Sequence, residues 1–260
     1  MKDIERYIVA IGSSSIDTYY DAPYWPALGD KIMVKSLGSR VGGLVSNAAC
    51  AMAACGLNTY LIDTVNPDAR DTILGELDKY GVKSDYILTG DRCAESGTNI
   101  ILVNGERVIF VSKNKPEFDL PSEHKELLYG AAGLYSIIPE IKNIREHLAL
   151  LKSIKQRGVK LFWDMEPATF GDSPEDRSLM RMADILFFNE WGMKKYGGQN
   201  METSAAQLLE AGVRAVVVTL AEKGCVVFTG GREIRVAGVG VDVKDTTGAG
   251  DAFNSVFLRG

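Results

Sequence analysis

An α/β protein is the fold class this sequence predicts, a three-layer α/β/α sandwich around a mainly parallel sheet. Short β-branched or aromatic runs bounded by turn residues recur along the chain, and stretches of helical period lie between them. Strands alternating with amphipathic helices build a mainly parallel sheet covered on both faces. The bulk numbers agree: 260 residues with 46% hydrophobic composition can bury one large core.

Taken in order, RYIVAIG reads as the first buried strand, and YLIDTV, AGLYSII, VKLFWD, ADILFF and VRAVVVTL repeat the type. Among the helical stretches, EIKNIREHLALLKSIKQRG spaces Ile141, Ile144, Leu148 and Leu151 by threes and fours, with Gly158 placed to cap the end. TSAAQLLEAG offers Ser204 and Gln207 as a capping box and Gly212 as terminator. Two regions break the alternation. Residues from about 14 to 39 hold no helical period, and TNIILVNGERVIFVSK reads as two strands around a tight Asn104-Gly105 turn. Together they form a small separate sheet, either a flap beside an active site or an ordinary edge hairpin. No linker, repeat or low-complexity tract divides the chain, so residues 1–260 are expected to form one domain with a β appendage.

Composition excludes several function classes. The formal charge is −5, from 29 basic and 34 acidic residues, with no local basic patch, so neither nucleic acid nor an anionic membrane is an expected partner. Cys50, Cys55, Cys93 and Cys225 form no C-x-x-C pair, and the opening MKDIERYIVAIG lacks the basic region and long apolar run of a signal peptide. A cytoplasmic protein with reduced thiols is expected. The two histidines, His124 and His147, lie in charged helical stretches and read as solvated surface groups, leaving little material for a histidine metal site or a Ser-His-Asp triad.

The stretch VAGVGVDVKDTTGAGDAFNSVFL runs from an extended segment through a polar turn into a helix whose first turn contains Gly250 and Asp251. Helix starts present unpaired N–H groups and a partial positive charge, and glycines let a phosphate come close to the backbone. Gly248, Ala249 and Gly250 thus form a candidate anion hole. Asp251 would repel that ligand. Its functional reading is to accept a proton from, or orient, an attacking hydroxyl during phosphoryl transfer; its plain reading is to complement the helix dipole. Rival motifs fail on spacing: a dinucleotide fingerprint needs glycine where Phe253 stands, and no P-loop, H-R-D or G-x-S-x-G is present.

DTTGAGDAF resembles the C-terminal signature of the ribokinase-like, or PfkB, family of carbohydrate kinases, and VGGLVSNAACAMAACG is similar to its N-terminal signature. The similarity covers nearly the whole chain. It implies a ribokinase-like fold and transfer of the γ-phosphoryl of ATP to a sugar hydroxyl, with Mg2+ and sometimes K+. By that likeness Asp251 is the catalytic base and Gly248 to Gly250 the hole for the transferred phosphate. The sugar contacts Asp17, Gly42, Gly43 and Asn47. Asn189 falls in the N-x-x-E element near the phosphates and magnesium, and Thr219, Ala221 and Gly224 lie at the nucleotide turn. Asp245 and Thr247 fall where members often hold a monovalent cation. Residues about 14–37 and 97–113 become a β lid that in many relatives also mediates homodimer formation. The remaining readings are a non-catalytic sugar- or nucleotide-binding protein on the same fold, or a nucleoside kinase.

The pattern also departs from the family. Gly192 stands where N-x-x-E has its acid, and Glu190 beside it points differently on a helix. Ala221 and Asn66 replace usual glycines, and Val45 and Val256 are larger than the residues common there. The family continues past the anion-hole helix with helices that wall the adenine pocket, whereas this sequence stops at FLRG, so those helices are expected to be absent.

Overall fold

The computed structural model describes residues 6–90, 97–103, 106–111, 116–198, 200–243 and 246–260. The first part of the chain runs β1 (Tyr7–Ile11), β2 (Ser15–Asp21), β3 (Lys35–Gly42), α1 (Leu44–Ala54), β4 (Asn58–Val65), α2 (Pro67–Lys79) and β5 (Ile87–Thr89). A hairpin follows, β6 (Gly97–Val103) and β7 (Glu106–Val111). The middle holds α3 (Ser122–Gly130), β8 (Gly133–Ser136), α4 (Ile138–Lys142), α5 (His147–Gln156), β9 (Lys160–Asp164), α6 (Pro174–Met182) and β10 (Ile185–Asn189). The chain then continues as α7 (Glu190–Gly197), α8 (Met201–Glu210), β11 (Ala215–Thr219), β12 (Cys225–Thr229), β13 (Arg232–Val236) and α9 (Ala249–Arg259).

Nine strands form one sheet in the order β13-β12-β11-β10-β9-β8-β1-β4-β5. Pairing is parallel from β5 to β11 and antiparallel at β12 and β13. Each expected strand run lies in this sheet, and the reason is visible in the side chains. In β10, Leu186 and Phe188 face one core while Phe187 faces the other; in β11, Val216 and Val218 oppose Val217 in the same way. A strand buried on both faces has no room for polar alternation, so it reads as a continuous apolar run. Trp163 of β9 is fully buried, and its indole N–H donates to the Leu179 carbonyl at 2.8 Å, so the largest side chain of the core leaves no orphaned donor.

Three local expectations are corrected. The stretch from 140 to 158 is two helices, because Glu146 adopts a left-handed conformation (φ 57°) before α5, and Ile144 in the break bridges to Phe118. Helix α8 is capped by Asn200, whose side chain accepts from the Thr203 amide at 2.7 Å; Ser204 lies inside the helix and donates to the Asn200 carbonyl. His124 is buried, bonded to the Tyr86 carbonyl and edge-on to the Tyr86 ring, and His147 is half-buried beside Glu175. Apolar periodicity marks which helix face is buried but not which polar side chain is buried with it.

The β appendage is a separate four-stranded sheet in the order β3-β2-β6-β7, with β2 and β6 parallel and the outer pairs antiparallel. Its first segment runs on to Gly42, beyond the expected limit at 37. The expected Asn104-Gly105 turn and residues 112–113 lie outside the described residues; Val103 pairs with Glu106. Trp25 stacks on Phe110 with centroids 6.3 Å apart, and Val108 to Val111 are all exposed. Among the described residues, no helix is long and apolar enough to cross a membrane.

Candidate active site

Helix α9 opens on Gly248, whose left-handed conformation (φ 75°) suits glycine, and no side chain caps it. The Ala249 amide turns back to the Thr246 carbonyl, while those of Gly250 and Asp251 find no acceptor among the described residues. A methyl group built on Gly250 would meet nothing within 4 Å, and Gly250 lines a cavity. Asp251 sits half-buried in the first helical turn.

Beneath Asp251 lies a group the sequence reading missed. Tyr135, at the end of β8, donates its hydroxyl to Asp164 at 2.9 Å, and the Asn254 amide bonds both the Tyr135 hydroxyl at 3.0 Å and Asp164 at 3.2 Å. Glu166 accepts from the Asn189 side-chain amide at 3.3 Å. Burial, then the nearby charges of Asp164 and Glu166, push the Asp251 carboxyl up to about 8. Burial also lifts Asp164 to about 7; the Tyr135 hydroxyl opposes this, Glu166 adds to it and Asn254 opposes it. Glu166 is raised by burial and eased by Lys195. Asn254 was legible as three residues beyond Asp251 on one helical face. Asp164 and Glu166 were legible as acids at the carboxyl end of a strand in a parallel sheet, the edge where such folds bind ligands. Nothing in the sequence singled out Tyr135.

Asn189 does two jobs. It caps α7, its side-chain oxygen accepting from the Gly192 amide at 2.6 Å, and it donates to Glu166. A methyl group on Gly192 would come within 2.8 Å of the Met165 carbonyl, so glycine there lets the turn carrying Glu166 pack against α7. The missing acid of the N-x-x-E pattern and the proximity of Glu166 thus have one steric cause.

The four residues expected at the nucleotide, Asn189, Thr219, Ala221 and Gly224, all line a cavity of about 760 Å³ together with Ala249, Gly250 and Phe253. Gly224 (φ 96°) is required, because a methyl group there would stand 2.0 Å from the Val236 carbonyl. Ala221, in place of a glycine, holds φ 50°, a conformation that costs a side-chain-bearing residue about 1 kcal/mol.

On the other side, Asp17 accepts from the Ser15 hydroxyl at 2.6 Å, and its carboxylate lies so close over Gly42 that a methyl group there would be 2.0 Å from it. Gly43 follows with φ 109° and begins α1. Asp17, Gly42 and Gly43 are therefore brought together. Asn47, one turn into α1, lines a separate cavity of about 220 Å³ with Val41, Cys50 and Glu76. The two glycine motifs meet through helix packing: the Ser255 hydroxyl of α9 donates to the Ala48 carbonyl of α1 at 3.2 Å. From the small sheet, Arg107 donates to the Thr247 hydroxyl, tying β7 to the loop before the anion hole. Asp245 lies outside the described residues.

Residues 5–260 match the profile described as pfkB family carbohydrate kinase. The chain belongs to this family. It is 28% identical to a ribokinase of Arabidopsis thaliana over 273 residues, covering 96% of this chain and 69% of that protein. It is 30% identical to an uncharacterized sugar kinase of Archaeoglobus fulgidus over 220 residues, 80% of this chain and 85% of that one. The solved structure of Arabidopsis thaliana ribokinase complexed with ribose and ATP superposes with a TM-score of 0.83 at 26% identity, over 98% of this chain and 85% of the other. This pfkB kinase therefore has the ribokinase-like α/β fold.

Proposed function

We propose that the protein transfers the γ-phosphoryl of ATP to a hydroxyl of a sugar, with Asp251 as base. The observation that carries the reading is the pairing of uncapped Gly250 and Asp251 amides with a carboxylate in the same helical turn. ATP enters the 760 Å³ cavity with its terminal phosphate at the Gly248–Ala249–Gly250 amides. The sugar lies over Gly42 and Gly43, accepted by Asp17. Asp251 takes the hydroxyl proton as the sugar oxygen bonds to the γ-phosphorus, the bond to the β–γ bridging oxygen breaks, and ADP leaves. The small sheet excludes water as a lid, its Arg107 reaching the phosphate loop at Thr247.

The oxygen donors Asp164 and Glu166, held by Asn254 and Asn189, suit a hard cation. Magnesium would be held there by one or two carboxylates together with the nucleotide's own oxygens. When bound, Mg2+ supplies positive charge to the phosphate oxygens. Thr247, with Asp245, is the place for a monovalent cation such as K+. A cytoplasmic setting suits the free thiols of Cys50, Cys55 and Cys225, and the exposed Val108–Val111 strand suits pairing with a second copy of the chain.

A coupled assay for ADP release over a panel of sugars, with adenosine and inosine included, tests the reading beside calorimetry of the same ligands. Turnover on a sugar supports it; turnover on nucleosides alone makes the protein a nucleoside kinase; binding without turnover on any of them makes it a binding protein. Replacement of Asp164 by Asn removes a like charge from beside Asp251. The rising limb of the pH–rate profile, placed near pH 8 by the ionisation of Asp251, is then expected to move to lower pH. An unmoved limb would remove the coupling between the two acids.

A further inference from the structure

Lys194 and Lys195 follow one another on α7 and are used differently. Lys195 donates to the carbonyls of Pro167 and Phe170 and lies over the Phe170 ring. Lys194 is exposed, lines the 760 Å³ cavity, and its ammonium has no partner among the described residues. Glu190, four residues earlier on the same helix, also lines the cavity, and that spacing favours an ion pair, yet none is formed among the described residues. Ala249 and Gly250 line the same cavity.

Even with magnesium bound, the phosphate chain keeps negative charge that a side-chain cation here would balance. A helix start offers only about half an elementary charge, whereas a triphosphate carries several negative charges. The groups gathered below the helix start, Asp164, Glu166 and Asp251, are all carboxyls and offer a phosphate no positive charge of their own. Gly192, without a side chain, adds nothing to neutralise Lys194.

We infer that Lys194 is a phosphate-binding residue, holding the nucleotide's phosphate chain in the cavity it shares with Ala249 and Gly250; this rests on the kinase reading above. Its ammonium supplies a full, mobile charge where the amides supply fixed partial ones. Trp191, one turn earlier, 66% exposed and lining the same cavity, is placed to report occupancy by its fluorescence.

The test is calorimetry of ATP, ADP and adenosine with the full chain, with Mg2+ and with a chelator, for wild type, Lys194→Ala and Lys194→Arg. Removal of a charge-assisted contact is expected to weaken ATP and ADP about 10- to 100-fold and leave adenosine within about twofold, with Arg restoring most of the loss. The KM for the sugar stays unchanged, and nucleotide-dependent quenching present in wild type is lost in Trp191→Phe. Lys194→Ala binding ATP as wild type does, or losing adenosine as much as ATP, overturns the assignment of Lys194 while leaving the kinase reading intact. A wild-type chain that binds no ATP overturns both.

Discussion

Asp251→Asn is expected to lower turnover about 10²- to 10⁴-fold, the usual contribution of a positioned base, while the fold persists. The two effects are separable because of the sign of the pKa shift. Asp251 holds its proton up to about pH 8 in the folded chain, well above the ordinary carboxylate value of 3.8. A group whose folded pKa is raised leaves stability highest where it is protonated, and stability declines as pH rises from the ordinary value toward about 8. Asparagine carries no such charge. The melting temperature of the variant should therefore equal that of wild type in acid and exceed it increasingly toward pH 8, while activity is lost throughout. Thermal melts across pH beside steady-state kinetics check both. Wild-type turnover in the variant would remove Asp251 from the role of base, and a lower melting point at pH 8 would remove the strained-charge account.

Gly43→Ala is expected to destabilise the protein by about 3 kcal/mol or more, since strained backbone and steric overlap act together. Gly43 holds φ 109°, and an added methyl group would stand 2.1 Å from the Ser13 carbonyl, which is backbone and cannot swing away. Urea melts measure the loss. Gly250→Ala is the control: nothing lies within 4 Å of the new methyl, so stability is kept, while the methyl crowds the phosphate and turnover falls. Equal melting of wild type and Gly43→Ala would contradict the close approach of β3 to the Ser13 loop.

The large sheet was legible because its central strands are buried on both faces, and Val216 to Val218 leave no other reading. The first turn of α9 was legible because Gly248 and Gly250 are costly within a helix unless the backbone needs them. Tyr135 was not legible, since its importance comes from a partner 119 residues away, Asn254. The break at Glu146 was missed because Ile144 keeps the helical spacing of its neighbours while the backbone between them does not. Ser204 mimicked a cap because serine and asparagine are equally good capping residues, and Asn200, four positions earlier, takes the role.

Every strand of the nine-stranded sheet precedes Gly248, and the residues proposed as base and phosphate cradle arrive only with α9, which docks on α1 near the other end of the sequence. Ribosomal synthesis proceeds from the N-terminus, so the scaffold can collapse while the reactive parts are still inside the exit tunnel. A chain released or clipped before residue 248 is expected to keep every strand of the sheet but to lose Phe253, Phe257 and Leu258 from one of its two cores, and with them the proposed base.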